Sequence, residues 1–217
     1  MWEAVVLIPS KDELLKAFEE RHGKELQQKF SSSSAAVCGL GGLGSNISVS
    51  LARAGIGKLI LIDFDKVDVT NLHRQQYKAC QVGMNKTDAL SQNLKEISPY
   101  IELETHTLRI TEDNALELLE SADVICEAFD SSEAKAMLAN IVLQRLPEKF
   151  LVSASGMAGL DSGNTIRTRR ISKRFYVCGD GVSEVNESSG LFSSRVMLCA
   201  AHQAHTVLRI LAEQFDE

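Results

Sequence analysis

The chain has 217 residues, 44% hydrophobic and 24% charged, and this composition indicates a globular protein of one large domain rather than a disordered or fibrous one. Its 23 lysines and arginines against 29 aspartates and glutamates give a net charge of −6, which argues against nucleic acid or anionic membranes as partners. No apolar run is long enough to cross a bilayer, and five cysteines without a CxxC pair favour a reducing compartment, so we expect a cytoplasmic protein.

An N-terminal helical arm at 1–34 is predicted to precede the main domain at 35–217. Ser10 and Glu13 have the spacing of a helix capping box, and apolar residues recur at helical intervals after them. The serine tract 31–34 marks the junction between the arm and the domain.

From residue 35 onward, strand patterns alternate with helical ones. Strands are predicted at 35–40, 58–62, 101–108, 123–129, 150–155 and 164–171, and helices at 45–54, 86–97, 111–119, 133–146 and 195–212. The segment 178–191 is polar and rich in turn residues, so we expect a long loop there. This alternation predicts an α/β fold of the Rossmann-like type, with a largely parallel sheet and helices on both faces.

The segment GLGGLG at 39–44 lies between the first predicted strand and its helix and satisfies G-x-G-x-x-G. Glycines let the backbone approach a phosphate group, and the helix N-terminus offers unpaired N–H donors. The candidate nucleotide-binding residues of this loop are Gly39, Gly41, Gly42 and Gly44. The next predicted strand leads into Asp63, whose carboxylate can accept from ribose hydroxyls. This context argues against a glycine turn that binds nothing, and it predicts a nucleotide site.

Further polar residues are predicted at the same edge of the sheet. Asn71 and Arg74 follow the second strand, and Lys86 opens the next helix, so their charges suit a triphosphate. Asp130 follows the strand at 123–129, where a carboxylate beside phosphates is a natural Mg²⁺ ligand; the alternative is that it caps the following helix. The glycine loop alone also fits a dinucleotide, so an NAD-dependent oxidoreductase remains the main alternative function.

Together these segments resemble the ThiF/MoeB/HesA family, the bacterial relatives of ubiquitin-activating enzymes. The resemblance is carried by GLGGLG (39–44), DFD (63–65), NLHRQQY (71–77), Lys86 and Asp130. Within the family the chain is most similar to the ThiF type, through segments such as GMNKTDAL (83–90) and YVCGDGVSE (176–184). The resemblance implies that MgATP is used to adenylylate the C-terminal glycine of a ThiS-like sulfur carrier ending in Gly-Gly, in thiamine thiazole biosynthesis, with release of pyrophosphate.

The resemblance also implies a role for each site residue. The residues expected to contact the nucleotide are the four loop glycines, Asp63, Asp65, Asn71, Arg74, Gln75, Lys86 and Asp130, of which Arg74, Lys86 and Asp130 act in catalysis and Asp130 holds Mg²⁺. Arg21 corresponds to an arginine that reaches the ATP of a partner subunit, which implies a homodimer. The alternative for Arg21 is a plain surface residue of an amphipathic arm.

Cysteine usage departs from the family pattern. Many members carry two CxxC pairs that hold a structural zinc, and this chain has none, so we expect no zinc site. Cys178 lies in a polar, glycine-flanked segment and is expected to be exposed. Some relatives use a loop cysteine for covalent chemistry, which makes Cys178 a candidate catalytic thiol, although the neighbouring Asp180 opposes thiolate formation.

One basic cluster stands out in this acidic chain, and it comprises Arg167, Arg169, Arg170, Lys173 and Arg174. It is either a solvated strand face or a docking surface for an acidic carrier. A non-catalytic carrier-binding module is the third functional alternative, and the presence of Arg74, Lys86 and Asp130 disfavours it.

Overall fold

The computed structural model describes residues 8–186 and 189–215. Its strands are β1 (Ser34–Cys38), β2 (Lys58–Ile62), β3 (Glu102–His106), β4 (Val124–Glu127), β5 (Phe150–Ala154), β6 (Arg167–Ser172) and β7 (Phe175–Gly179). They form one sheet in the order β3-β2-β1-β4-β5-β7-β6, in which every pair is parallel except the antiparallel β6–β7 hairpin. The predicted Rossmann-like α/β fold is therefore confirmed.

Helices cover both faces of this sheet. They are α1 (Lys11–His22), α2 (Lys24–Ser31), α3 (Gly42–Arg53), α4 (Lys86–Ile97), α5 (Ala115–Leu119), α6 (Ser132–Arg145) and α7 (Ser193–Leu211). Val37 and Leu61 belong to a core shared with α3, α4 and α7, whereas Ile60 and Ile125 belong to a second core shared with α5 and α6. Central strands buried on both sides read as continuous apolar runs, which is why they are recognisable in the sequence. Among the described helices, none is long and apolar enough to cross a membrane.

The described part of the arm consists of two helices. Ser10 caps α1 as predicted, because its hydroxyl accepts from the amide of Glu13 while the Glu13 carboxylate accepts from the amide of Ser10 at 2.8 Å. Gly23, with a φ of 85°, separates α1 from α2. A left-handed φ of this kind suits glycine at the end of a helix.

Three other predicted elements differ from the structure. The strand expected at 164–171 begins only at Arg167, since Gly163–Thr165 form a 3-10 helix. The helix expected at 111–119 begins only at Ala115, because the side chain of Asn114 accepts from the amide of Thr111 and closes a turn there. The segment 178–191 is not a loop throughout, since Cys178 and Gly179 complete β7. β7 has only five residues, which alternate between half-buried and buried positions before the last two, and it pairs with the charged strand β6. A hydrophobic pattern of this length is too short to predict a strand from the sequence.

Candidate nucleotide-binding site

Four parallel strands that are neighbours in the sheet end at one edge. In the order β2, β1, β4 and β5 they are followed by Asp63, Gly39, Ala128 and Ser155. The strand order reverses between β1 and β4, and open α/β sheets bind ligands in the crevice outside such a reversal. The sequence motifs thus converge on the position where this fold binds ligands.

The shape of the glycine loop is dictated by close backbone contacts. Gly39 has a φ of +91°, and a Cβ on it would lie 2.9 Å from the carbonyl oxygen of Ala128. A Cβ on Gly44 would overlap the carbonyl oxygen of Gly39. Gly41 is the N-cap of α3 and, within the described ranges, no side chain accepts a hydrogen bond from the first-turn N–H groups of that helix. The first-turn N–H groups of α3 therefore lack a side-chain acceptor, and a helix end of this kind favours an anion.

Asp63 is a buried anchor of that loop. Its Oδ2 accepts from the amide of Leu40 at 2.6 Å, and its Oδ1 accepts from the amide of Asp65 at 2.7 Å. Tyr77 supports the same loop, since its hydroxyl donates to the carbonyl of Leu40 at 2.8 Å. Burial raises the pKa of Tyr77, which keeps the phenol protonated as a donor. The acidic residue expected to contact ribose is thus already tied to the glycine loop.

Lys86 opens α4, as predicted, but its side chain is buried against carboxylates. Its Nζ lies 2.8 Å from Oδ2 of Asp65 and 3.8 Å from Oδ2 of Asp63, and only 5% of the residue is exposed. The structure therefore brings Lys86 to the carboxyl end of β2 and pairs it with both candidate acidic residues.

Arg74 lies over the glycine loop. A Cβ on Gly42 would lie 3.5 Å from both Cγ and Cδ of Arg74. Burial lowers the pKa of the Arg74 guanidinium, while the nearby Asp130 carboxylate opposes this shift. Asp130 thus affects the pKa of Arg74, but the two side chains form no ion pair among the described residues. Asn71 is half-exposed, and its side-chain amide donates to the hydroxyl of Thr70 at 3.3 Å.

Gln75 is buried beside the same loop. A Cβ on Gly41 would lie 3.8 Å from Nε2 of Gln75. Oε1 of Gln75 has no hydrogen-bond partner in the part of the chain that the structure describes. Buried acceptors are normally satisfied, so this atom fits a ligand or water that supplies a donor. The unpartnered oxygen and the uncapped helix end together fit a bound nucleotide.

Asp130 is exposed and does not cap the following helix. The N-cap of α6 is Ser131, whose hydroxyl accepts from the amide of Ala134 at 3.3 Å. The capping alternative for Asp130 is therefore wrong. Within residues 8–186 and 189–215 there is no cluster of three or more His, Cys, Asp or Glu that could hold a metal. A single carboxylate suits Mg²⁺ only together with phosphate oxygens and water.

The sequence patterns do not reveal a polar network at the end of β4, the strand that precedes Asp130. Glu127 is fully buried, and its carboxylate accepts from Nζ of Lys135 at 2.9 and 3.1 Å, from the amide of Phe129 at 2.7 Å and from the hydroxyl of Ser153. Lys135 also donates to the carbonyl of Ala154 at 3.1 Å. The network joins the ends of β4 and β5 to α6. Its one sequence signal is an acidic residue within an otherwise apolar strand.

Within one chain, Arg21 does not reach the site. Residues of α1 line a cavity of about 640 Å³ together with the first residues of β1, β2 and β3, which places the arm at the amino-terminal edge of the sheet. Arg21 is exposed in the last turn of α1. The glycine loop lies at the opposite edge, so a role for Arg21 at a nucleotide would require a second copy of the chain.

The expectation that Cys178 is exposed is wrong. The residue is fully buried in β7, and its sulfur lies 3.5 Å from the hydroxyl of Thr168 and 3.9 Å from that of Thr206. Burial raises the pKa of the Cys178 thiol, which disfavours a thiolate nucleophile. Asp180 is engaged elsewhere, because its carboxylate accepts from Arg195 at 2.6 Å.

Comparison with known proteins places this geometry in a family. The adenylyltransferase and sulfurtransferase MOCS3 of Aedes aegypti is 40% identical over 136 residues, which cover 62% of this chain and 31% of that protein. The adenylyltransferase and sulfurtransferase UBA4 of Lodderomyces elongisporus is 37% identical over 132 residues, which cover 60% of this chain and 29% of that protein. The chain therefore spans about a third of the length of these curated relatives.

Solved structures show the same fold at lower identity. The E. coli tRNA N6-threonylcarbamoyladenosine dehydratase TcdA, in complex with ATP, aligns with a TM-score of 0.84 at 21% identity and covers 96% of this chain and 98% of that one. E. coli MccB, with MccA-N7isoASN, aligns with a TM-score of 0.71 at 21% identity over 97% of this chain and 74% of that one. The ThiF family model matches residues 14–216, and the chain is therefore a member of the ThiF family.

Proposed function

We propose that this protein transfers the adenylyl group of ATP to the C-terminal glycine carboxylate of a small ubiquitin-like sulfur carrier and releases pyrophosphate. The observation that carries the proposal is the position of Arg74 over the glycine loop, whose helix end has no side-chain cap, at the edge of the sheet where β4 leads into Asp130. Family membership supports it, and so do the MOCS3 and UBA4 names, which join adenylyl transfer to sulfur transfer. TcdA, which has the same fold, has been solved with ATP and with AMP.

The reaction brings two anions together, so the site must neutralise charge. A carboxylate oxygen of the carrier attacks the α-phosphorus, the bond from that phosphorus to the bridging oxygen breaks, and pyrophosphate leaves with the electron pair. No general base is required, because a carboxylate is ionised at neutral pH. We assign the α-phosphate to the N–H groups of the glycine loop. Asn71, Arg74 and Lys86 are assigned to the charge that grows on the leaving group.

The remaining predicted residues hold the nucleoside and the metal. Asp63 and Asp65 are assigned to the ribose side of the crevice, and Gln75 offers its unpartnered oxygen to a donor of the ligand. Asp130 would hold Mg²⁺, which when bound neutralises phosphate charge. Asp130 is exposed, follows β4 at the edge of the sheet that holds the glycine loop, and has no capping role, and these properties suit that ligand.

The finer assignments follow the family resemblance. We propose a ThiS-type carrier of thiamine biosynthesis as the substrate, a catalytic domain at 35–217, and a homodimer in which the arm at 1–34 presents Arg21 to the partner's nucleotide. The exposure of Arg21 at the edge of the sheet opposite its own glycine loop supports this arrangement. Mixed dimers of Arg21→Ala and Asp130→Ala chains should regain part of the activity that each variant lacks. Absence of rescue in verified mixed dimers would contradict a contribution across the interface.

The main test is carrier-dependent exchange of labelled pyrophosphate into ATP. Wild-type protein with a ThiS-type carrier should exchange, and the same carrier without its terminal glycine should not. Asp130→Ala should lose activity by about 100-fold or more while melting at the wild-type temperature, since it removes a charge-stabilising group from an exposed position. Glu120→Ala, which removes another exposed carboxylate at the end of α5, is the matched control.

Other outcomes of the same experiment would decide for the alternatives. Binding of NAD(H) without pyrophosphate exchange would support an oxidoreductase. Binding of the carrier without turnover of ATP would support a non-catalytic module. Exchange by Asp130→Ala at the wild-type rate would remove Asp130 from the mechanism.

A further inference from the structure

Glu127 is a fully buried carboxylate at the last position of β4, three residues before Asp130. It accepts from the amide of Phe129 at 2.7 Å, from Nζ of Lys135 at 2.9 and 3.1 Å, and from the hydroxyl of Ser153. These contacts use the roughly four acceptor sites that an ionised carboxylate offers. Glu127 therefore has no acceptor left for a metal or a nucleotide.

Lys135 is engaged to the same extent. Its Nζ donates to both carboxylate oxygens of Glu127 and to the carbonyl of Ala154 at 3.1 Å. A lysine ammonium has three donors, so these three acceptors leave none for a phosphate. Although 25% of the Lys135 side chain is exposed, its charged end links α6 to the ends of β4 and β5.

The contacts of Glu127 hold the loop that carries Asp130. Its carboxylate binds the amide of Phe129, the residue directly before Asp130. Ser131, directly after Asp130, is the N-cap of α6. The same loop packs against the glycine loop, since a Cβ on Gly39 would lie 3.2 Å from Cδ1 of Phe129. The placement of Asp130 relative to the glycine loop thus depends on residues that flank it in the chain.

A buried ion pair is an expensive way to fill these positions. Charges lose hydration on burial, and well-packed apolar side chains of similar volume often stabilise a fold equally well or better. A fully satisfied polar network instead makes its surroundings rigid and selects one arrangement of the groups that it binds. The Glu127–Lys135 pair has this satisfied form, and the backbone that it holds leads into the candidate metal ligand.

We infer that Glu127 and Lys135 are positioning residues for Asp130. They hold the β4–α6 loop so that the Asp130 carboxylate meets the Mg²⁺ of MgATP, while neither residue touches the metal or the nucleotide. The inference rests on the proposed function, since it explains how this chain places the metal ligand of that reaction. Residues that orient a metal ligand typically change metal affinity by about 10–100-fold when they are replaced.

The test separates the placement of Asp130 from folding. Wild type is compared with Lys135→Met, with Glu127→Gln and with the double variant, which retains neither charge. Each protein is titrated by calorimetry with ATP in EDTA and with MgATP, without carrier, and the ratio of the two Kd values measures the Mg²⁺ preference. Urea midpoints measure stability, and pyrophosphate exchange with carrier is assayed in parallel. Leu146→Ala, at the other end of α6 and 8% exposed, is the control for a general loss of stability.

All three variants should lose Mg²⁺ preference by about tenfold or more, while the Kd for ATP in EDTA changes by less than about twofold. Each single variant should also lower the urea midpoint, because one charge of the pair is left without its partner. The double variant should regain most of that stability and none of the Mg²⁺ preference. Lys135→Arg, which keeps the ion pair, should stay within about threefold of the wild-type preference. Leu146→Ala should lower the urea midpoint alone.

A cycle with Asp130→Ala shows whether the effect passes through Asp130. In that background Glu127→Gln should change the Mg²⁺ preference by less than about twofold, because the group that it positions is gone. Three results would each overturn the inference: an unchanged preference in Lys135→Met, a preference that recovers together with stability in the double variant, or independent effects of Glu127→Gln and Asp130→Ala. A wild-type protein with neither Mg²⁺ preference nor pyrophosphate exchange would refute the proposed function, and the inference with it.

Discussion

Nζ of Lys86 lies 2.8 Å from Oδ2 of Asp65 and 3.8 Å from Oδ2 of Asp63. The cation proposed to contact phosphates is thus already neutralised by two carboxylates at the end of β2. Asp65 is half-exposed on its side chain, whereas Lys86 is buried, so the lysine is the more confined partner. A phosphate bound by Lys86 would compete with Asp65 for the lysine N–H groups, while Asp63 stays bound to the amide of Leu40. The pair should therefore influence both folding and nucleotide binding.

The Lys86–Asp65 pair can be tested by a double-mutant cycle. Lys86→Met should lower the free energy of unfolding by about 2 kcal/mol, because it leaves two close carboxylates without their cation. Adding Asp65→Asn should recover about 1 kcal/mol of that loss, since it removes one of the two negative charges. Urea unfolding of the four proteins measures the coupling, with Lys86→Arg as the charge-conserving control. Strictly additive effects would show that the pair does not contribute to stability.

Gly44 provides a test of the glycine loop that adds only one methyl group. Because a Cβ at this position would overlap the carbonyl oxygen of Gly39, Gly44→Ala should displace the loop and weaken ATP binding by about tenfold or more. Titration with a fluorescent ATP analogue measures the affinity. Gly190→Ala is the control, because nothing lies within 4 Å of a Cβ there. Equal affinity in the two variants would mean that the nucleotide does not use this loop.

The sequence predicts the strands and helices around the site well, but it does not predict which side chains contact one another within the site. The range 58–62 matches β2 and 86–97 matches α4, because buried apolar runs and amphipathic periods are local properties of the chain. The pairing of Lys86 with Asp65 joins residues far apart in the chain, and no local pattern encodes it. The burial of Cys178 is another tertiary property, since it depends on the packing of α7 against the β6–β7 hairpin.

The position of the arm also could not be read from the sequence. The capping box at Ser10 predicted where α1 begins, but not the edge of the sheet that it packs against. The sequence also does not decide whether Asp130 or its neighbour is the N-cap of α6. Its neighbour Ser131 is an equally good capping residue, and only the hydrogen bond from the amide of Ala134 decides between them.

The Asp180–Arg195 pair predicts a pH dependence of stability. Burial raises the pKa of Asp180, but hydrogen bonds from the amides of Ser183 and Val182 and from Arg195 outweigh it and lower the pKa from 3.8 to about 2. A pKa that is lower in the folded state than in the unfolded state stabilises the fold fully above about pH 4, and this contribution is lost as the pH falls toward 2.

Replacing the carboxylate should remove that dependence. Asp180→Asn should lower the free energy of unfolding at pH 7 by about 3 kcal/mol, because Arg195 is 3% exposed and would keep a buried charge without its partner. Between pH 4 and pH 3 the variant should lose less further stability than wild type, as measured by urea midpoints. Asp161→Asn, at an exposed position, should follow wild type at every pH. Parallel acid losses in all three proteins would assign the acid sensitivity to other groups.

The five cysteines should separate sharply by reactivity in the native protein. Cys80 is exposed, whereas Cys38, Cys126, Cys178 and Cys199 are buried, and burial raises the pKa of each of these four thiols. A thiol reagent such as DTNB should therefore modify one group rapidly under native conditions and all five after unfolding, because only a thiolate that the reagent can reach reacts. Cys80→Ser should abolish the rapid phase, and Cys178→Ser should leave it intact. A rapid phase that survives in Cys80→Ser and disappears in Cys178→Ser would contradict the buried position of Cys178 and restore it as a candidate nucleophile.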